Sequence, residues 1–273
     1  VVRRHGCIES ATGLGANGHA CWGFDQTDEF VGAALEFLTD GLRLGQRIGY
    51  VGSEPVAAQR ERLDSLGDVG GMIDRGALQL IELKSFYRPG DAVDVDAQLA
   101  LYAGAADTAR ADGYTGLRIA SQSTDFVAEP EAWDDRLRWE SAADRVLSAH
   151  GISVLCGYQR DAIPPSLLGD LAAVHPAANC GAEAFPFHLF GENGGLVLSG
   201  EIDSFSSETL DRVLGFAHRA GERVRLDLGA LNFIDHRGLE VLAAHARRPG
   251  GGYRVHNRPL MVERLSNLLE LEL

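Results

Sequence analysis

The stretch His19 to Phe30, HACWGFDQTDEF, passes from a short apolar extended element into a helix, and that passage decides the fold. Asp25 or Thr27 is placed to cap a helix whose apolar face is Phe30, Ala34, Leu35, Leu38 and Leu42, with Gly45 as the stop. Outward from it the alternation repeats. Arg47 to Gly52 reads as a strand, Pro55 opens a helix with Leu63 and Leu66 that Gly67 ends, and Ala77 to Leu83 reads as a strand. Val95, Leu99, Tyr102, Ala103 and Ala106 fall at helical spacing, followed by a strand from Gly116 to Ser121, a helix from Pro130 to His150 and a strand from Ile152 to Tyr158. Pro164 and Pro165 start a last helix with Leu167, Leu168 and Leu171, while the Gly-rich residues 1–18 read as a flexible lead-in. Strands alternating with long helices imply an α/β domain with a mainly parallel sheet, covered on both faces and joined by right-handed crossovers.

In such a sheet ligands sit beyond the carboxyl ends of the strands, which nominates Trp22 to Asp25, Ser53 and Glu54, Lys84 and Ser85, Ser121 to Ser123, and Tyr158 to Arg160. A nucleotide-hydrolysing site is not expected. The turn after His19 to Phe24 offers carboxylates where phosphate needs glycine amides and a Lys, and LRIAS (Leu117 to Ser121) ends without a magnesium-binding Asp.

The length of 273 residues favours two domains, and 45% hydrophobic with 23% charged residues fits a folded globular chain. A formal charge of -14 argues against nucleic acid or a membrane surface as partner. From Glu183 onward 10 basic residues face 13 acidic ones, against 15 and 26 before it, so the acidity belongs to the first part. No run approaches the roughly 20 apolar residues of a membrane span, and a cytoplasmic location is expected. Cys7, Cys21, Cys156 and Cys180 form neither a disulfide framework nor a CxxC pair, so reduced thiols are expected.

HACWGFDQTDEF, GLRLGQRIGYVGSE (Gly41 to Glu54), GYTGLRIASQSTDF (Gly113 to Phe126), the pair Trp139 and Glu140, and VLCGYQRDAIPPSLLGDLAAVHP (Val154 to Pro176) together resemble the DcmR-type sensory, or MEDS, domain. The resemblance covers residues 19–178. It implies a RecA-like or KaiC-like domain stripped of its phosphate loop that senses small ligands, hydrocarbon derivatives being proposed for the founding members. His19 and Cys21 match the family's HxC pattern and Cys156 the Cys of its late strand. A RecA-like strand order makes the first and last strands neighbours and brings Cys21 towards Cys156.

Three readings of these residues stay open. They are core residues, with Cys buried as a small hydrophobe. Or they line a pocket for a small organic ligand, with His19, Cys21, Asp25, Glu54, Ser123, Glu140, Cys156 and Tyr158 as its candidate residues. Or they form a metal, haem or thiol redox site, for which three ligands are visible where a closed zinc site uses about four. Trp139 sits at core spacing with Ala143, Val146 and Leu147; Glu140 is less easily assigned to packing.

After a linker at residues 179–183 the pattern changes. AFPFHLF, the turn GENGG and LVLSGEID read as a two-stranded hairpin from Ala184 to Asp203. A helix capped by Ser206 follows, with Leu210, Val213, Leu214 and Ala217 as its buried stripe. RVRLDLGALNFID (Arg223 to Asp235) gives a strand and turn; Gly238 to Ala246, Tyr253 to His256 and Pro259 to Leu269 read as helix, strand and helix. Over residues 184–273 this order, with LSGEID and LDLGALNFIDHRGLEVL, resembles a STAS domain of the anti-sigma-factor-antagonist type, a smaller α/β domain with a mixed sheet.

That resemblance implies a bacterial signalling protein that binds an anti-sigma factor or switch kinase, at a surface matched here by Asp203, Asp235, His236, Arg237, Gly238 and Leu239. Phosphorylatable members carry a Ser or Thr after the Asp, whereas this chain reads Asp235, His236, Arg237, Gly238, so the ordinary serine switch is not expected. The expected function is that of a non-enzymatic, ligand-sensing anti-sigma factor antagonist. A scaffold or stressosome-like homo-oligomer is the alternative. An enzyme using Cys21 or Ser123 with His19 lacks a nucleophile elbow or an ordered triad.

Overall fold

The structure, a computed structural model, describes residues 3–85, 94–179, 185–218 and 221–273. The first unit contains, in chain order, β1 (Gly6–Ile8), β2 (His19–Phe24), α1 (Thr27–Arg43), β3 (Arg47–Gly52), α2 (Val56–Arg62), α3 (Val69–Asp74), β4 (Leu78–Glu82), α4 (Val95–Ala111), β5 (Leu117–Gln122), α5 (Trp133–Ala149), β6 (Ile152–Gln159), α6 (Pro165–Ala173) and β7 (Ala177–Asn179). Among the described residues its strands form a seven-stranded sheet in the order β1-β7-β2-β6-β5-β3-β4, with every pairing parallel. Helices on both faces explain why β3 is buried throughout and β6 at all but its last residue.

Alternation along the strands assigns each residue to one face. Ala20, Ala120 and Leu155 meet Phe30 and Phe37 of α1, whereas Cys21, Val154, Cys156 and Tyr158 meet Leu137, Ala143 and Leu147 of α5 and Leu167 and Leu171 of α6. Gly157 permits the first packing, because a Cβ there would overlap the Phe30 ring.

Several expectations are corrected. The lead-in is packed from residue 3 on: β1 pairs with β7, Ile8, Ala11 and Leu14 are buried, and the Gly15 carbonyl accepts from Arg118. Gly13 serves a turn with a positive φ, and the scattered apolar residues of the segment fill a sheet edge too short to show periodicity. Cys7 is disulfide-bonded, so the expectation of reduced thiols fails there, while Cys21 and Cys156 are free. Cys180 and the expected linker, apart from Asn179, lie outside the described residues. Neither Asp25 nor Thr27 caps α1; Gln26 holds that position without a side-chain bond, and Glu29 accepts from the Asp25 amide at 2.9 Å instead. Ser206 likewise bonds back to Asp203 rather than into its helix.

The second unit comprises β8 (Phe187–Glu192), β9 (Gly195–Ile202), α7 (Ser207–Ala217), β10 (Arg223–Asp227), β11 (Leu231–Ile234), α8 (His236–Ala246), β12 (Gly252–His256) and α9 (Leu260–Leu268). Its sheet is mixed, as expected: β8 runs antiparallel to β9, and β9, β10, β11 and β12 pair in parallel in the order β11-β9-β10-β12. β11 occupies the segment that read as a turn. The two units share a continuous apolar core, in which Leu137 and Leu171 join Phe187, Leu189, Leu210 and Leu214. At its edge Arg212 of α7 makes two 2.8 Å bonds to Asp170 of α6. Among the described residues no helix is long and apolar enough to cross a membrane.

Candidate functional site

The face of the first sheet that meets α5 and α6 carries a buried polar cluster. β2 and β6 lie in register, with His19 beside Val154 and Cys21 beside Cys156, so His19 and Cys156 emerge on the same face one step apart. α5 crosses above them. Arg136, Glu140 and Asp144 recur every fourth residue, which places all three on the stripe that also carries Leu137, Ala143 and Leu147. The turn after α6 adds His175, whose ring centroid stands 4.1 Å from that of His19. His19, Glu140, Cys156 and His175 each offer one ligand atom to a common centre, these atoms all lying within 4.8 Å of one another, and every one of the four residues is buried.

The outer atoms of the cluster are satisfied. Glu140 Oε1 accepts from Tyr158 Oη at 2.6 Å and from Arg136 Nη2 at 2.6 Å. Arg136 stacks between Phe126 and Trp139, 4.4 Å from each ring, and reaches Ser123 Oγ at 3.5 Å. His19 Nδ1 donates to Asp144 Oδ1 at 2.9 Å, and Asp144 is also clasped by both terminal nitrogens of Arg3. His175 Nδ1 lies 2.6 Å from the Leu171 carbonyl, which only accepts, so this nitrogen carries the proton and Nε2 is a bare lone pair.

The inner atoms are not. Glu140 Oε2 and His175 Nε2 are buried without a hydrogen-bond partner. They face each other at 3.5 Å, and His19 Nε2 stands 3.4 Å from the same oxygen. Cys156 Sγ lies 3.7 Å from His19 Nε2.

Charge states follow from the surroundings. Burial opposes ionisation of Glu140, yet Arg136, His175 and His19 hold it far below the usual carboxylate range. Burial likewise opposes Asp144, and Arg3 and His19 outweigh it. For His19 burial is the largest effect and lowers its affinity for a proton, but Asp144, Cys156 and Glu140 together push it well above its ordinary value. Burial and the neighbouring His19 drive His175 down to about 3, so it is neutral. Burial raises Cys21, Cys156 and Tyr158.

The sequence candidates therefore divide. His19, Glu140, Cys156 and Tyr158 come together; Cys21 shares their face but gives no donor atom to the centre, and Ser123 joins only through Arg136. Asp25 and Glu54 stand apart at the strand ends, Asp25 3.5 Å from Arg160 and Glu54 3.4 Å from Arg62. Their carboxylates do not enter the cluster, because the residues that gather lie on one face of β2 and β6 rather than at the strand tips. Reading by residue type missed His175, Asp144, Arg136 and Arg3. The charged residues at every fourth position on the apolar stripe of α5 were the available signal.

In the second unit, β9 and β11 are neighbours with Ile202 beside Ile234, so the loops that follow them meet. The Asp235 amide donates to Ile202 O at 2.9 Å, and Asp235 caps α8 by accepting from Gly238 N at 2.9 Å. Asp203, His236 and Arg237 are exposed here, and Phe205 is 94% exposed. Gly238 and Leu239 do not belong to that surface. Leu239 points into the core, and a Cβ on Gly238 would stand 2.5 Å from Ile202 Cγ2, so Gly238 lets the start of α8 seat on the sheet.

No curated protein matches the chain. Among solved structures it is similar to the flagellar accessory protein FlaH of Methanocaldococcus jannaschii, at 11% identity over 69% of this chain and 76% of that one, with a TM-score of 0.39. It is also similar to a KaiC-like protein of Pyrococcus horikoshii OT3, at 12% identity over 73% of this chain and 89% of that one, with a TM-score of 0.43. Residues 18–176, which hold the whole buried cluster apart from Arg3, match the family model of the methanogen/methylotroph DcmR sensory domain, MEDS. The chain belongs to the MEDS family, and its first unit is a sensory domain.

Proposed function

We infer that the chain is a non-enzymatic sensory regulator whose second unit is a STAS-type antagonist module that captures an anti-sigma factor or switch kinase. The observation that carries this reading is the exposed junction of the β9 and β11 loops, where Asp203, Phe205, His236 and Arg237 share one surface. Aromatic side chains and Arg are enriched in protein-binding surfaces, and Phe205 is an exposed aromatic. Asp235 to Gly238 contains no hydroxyl, so control by serine phosphorylation at that helix start is replaced by control from the sensory unit.

The contacts between the units support that route. Gly191 N of β8 donates to Asp144 Oδ2 at 2.6 Å, and His188 Nδ1 donates to the His175 carbonyl at 2.9 Å. α6 and the β9 loop also line a common cavity of about 240 Å³, with Gly169 and Ala173 on one side and Asp203, Phe205 and Thr209 on the other. A change in the buried cluster thus has a short path, through α6 and β8, to the partner surface.

Binding of the full chain to a panel of purified anti-sigma switch kinases, followed by calorimetry, tests the reading. A kinase should bind, Phe205→Ala should weaken it by about 30-fold, a hot-spot loss, and no phosphate should be transferred to the chain from ATP. No binding to any of them, with a stable large assembly of the chain alone, would favour the scaffold reading.

A further inference from the structure

We propose that His19 Nε2, Glu140 Oε2, Cys156 Sγ and His175 Nε2 form a tetrahedral binding site for a divalent transition-metal ion of the zinc type. The proposal goes beyond the partner reading and does not depend on it.

Two acceptors set the problem. Glu140 Oε2 and His175 Nε2 are both buried, 3.5 Å apart and without a hydrogen-bond partner, and the bond from His175 Nδ1 to the Leu171 carbonyl leaves Nε2 a bare lone pair. Two lone pairs facing each other in a low-dielectric interior repel, and buried polar atoms without partners are rare in native folds. A cation between them removes both faults at once.

The spacing suits such an ion. Zinc holds nitrogen and oxygen at about 2.0–2.1 Å and sulfur at about 2.3 Å, so tetrahedral neighbours stand about 3.4 Å apart for N and O and about 3.6 Å apart for N and S. Three of the six separations are 3.4 Å for His19 and Glu140, 3.5 Å for His175 and Glu140, and 3.7 Å for His19 and Cys156, and the other three lie within 4.8 Å. Two imidazoles, a thiolate and a carboxylate make a borderline-soft donor set that favours zinc over magnesium or calcium.

The supporting shell has the form of a built metal site. Each metal-ligating histidine needs its other nitrogen held, and here Asp144 holds Nδ1 of His19 while the Leu171 carbonyl holds Nδ1 of His175. Tyr158 and Arg136 fix the second oxygen of Glu140, leaving Oε2 aimed at the centre. When the ion binds, the Cys156 thiol and His19 Nε2 release their protons to solvent as the S–metal and N–metal bonds form. No electrons are transferred. Of the three ligands visible in the sequence, His19 and Cys156 join the centre and Cys21 does not, and His175 and Glu140 bring the number to four. Four protein donors close the site, which makes it a structural or regulatory centre rather than a hydrolytic one.

The test is to express the full chain in minimal medium supplemented with zinc or with cobalt, and to measure bound metal by mass spectrometry and the cobalt form by absorption. One tightly held metal per chain is expected, with intense visible bands of tetrahedral cobalt and a near-ultraviolet thiolate-to-cobalt band. The thiolate band should disappear in Cys156→Ser and persist in Cys21→Ser. Asp144→Asn, which keeps all four ligands, should weaken metal binding by about 10–100-fold. Absence of metal from folded wild-type protein in both media would overturn the proposal, as would six-coordinate cobalt spectra or a thiolate band that survives Cys156→Ser. Wild-type protein alone decides the first two outcomes, so the proposal stays testable even where a variant fails to fold.

Discussion

At the scale of single residues, the molecule is decided by a few side chains whose neighbours are far away in sequence. Arg3 and Asp144 are 141 residues apart, and His19 and Cys156 are separated by 137. No local pattern announces such pairs. His19 and Cys156 are legible because residue type and family pattern mark them, whereas nothing local marks His175, the residue before Pro176. Gly157 offers a direct check of the packing under β6. Gly157→Ala forces Phe30 away from the sheet and should lower stability by about 1–3 kcal/mol, the usual cost of overpacking; an unchanged urea midpoint would mean that α1 does not seat on β6 as described. Tyr158→Phe removes the donor to Glu140 Oε1 and should cost about 1.5–3 kcal/mol, as expected for a bond to a charged group. The same denaturation measurement reads it.

At the scale of elements, most of the strand and helix order was legible because long amphipathic helices and apolar strands carry strong periodicity. What escaped was short or unusual. β7 has three residues, β1 has three and α3 has six, too few to show a period. α5 misleads for another reason: its buried stripe carries Arg136, Glu140 and Asp144, and charges on a helix normally mark the solvated face. Its interior position becomes explicable only once Arg3, Tyr158 and the two histidines are seen around it. In the second unit the start of α8 yields a paired prediction. Asp235→Ala deletes the cap to Gly238 N and should cost about 1 kcal/mol of stability, measured by chemical denaturation. His236→Ser introduces a hydroxyl at that helix start, and a cognate switch kinase should then transfer phosphate from ATP to this variant and not to the parent chain. Phosphate on the parent would contradict the reading of a serine-free switch.

At the scale of the whole molecule, the two units are joined by more than proximity. A shared apolar core, the Arg212 to Asp170 pair and the bonds from β8 to Asp144 and His175 make the sensory cluster part of the contact between them. This joining is not legible in the sequence, because a linker is expected where the chain passes from one unit to the next, and the joining residues come from α5, α6 and the N-terminal segment instead. Arg212→Ala should loosen the contact at its rim. It leaves Asp170, which is mostly buried, without its partner, and should lower stability by up to about 3 kcal/mol while leaving the cluster intact.

The bonds from β8 to Asp144 and His175 make the buried cluster of the sensory unit mechanically continuous with the second unit. Hydrogen–deuterium exchange of the full chain, parent against Asp144→Asn, tests this continuity most directly. The substitution conserves size but abolishes the charge that holds Arg3, His19 and the Gly191 amide. Faster exchange is expected in β8 and in the Asp203 to Ser206 loop, as well as around His19. Faster exchange confined to residues 3–179, with β8 and that loop unchanged, would contradict it.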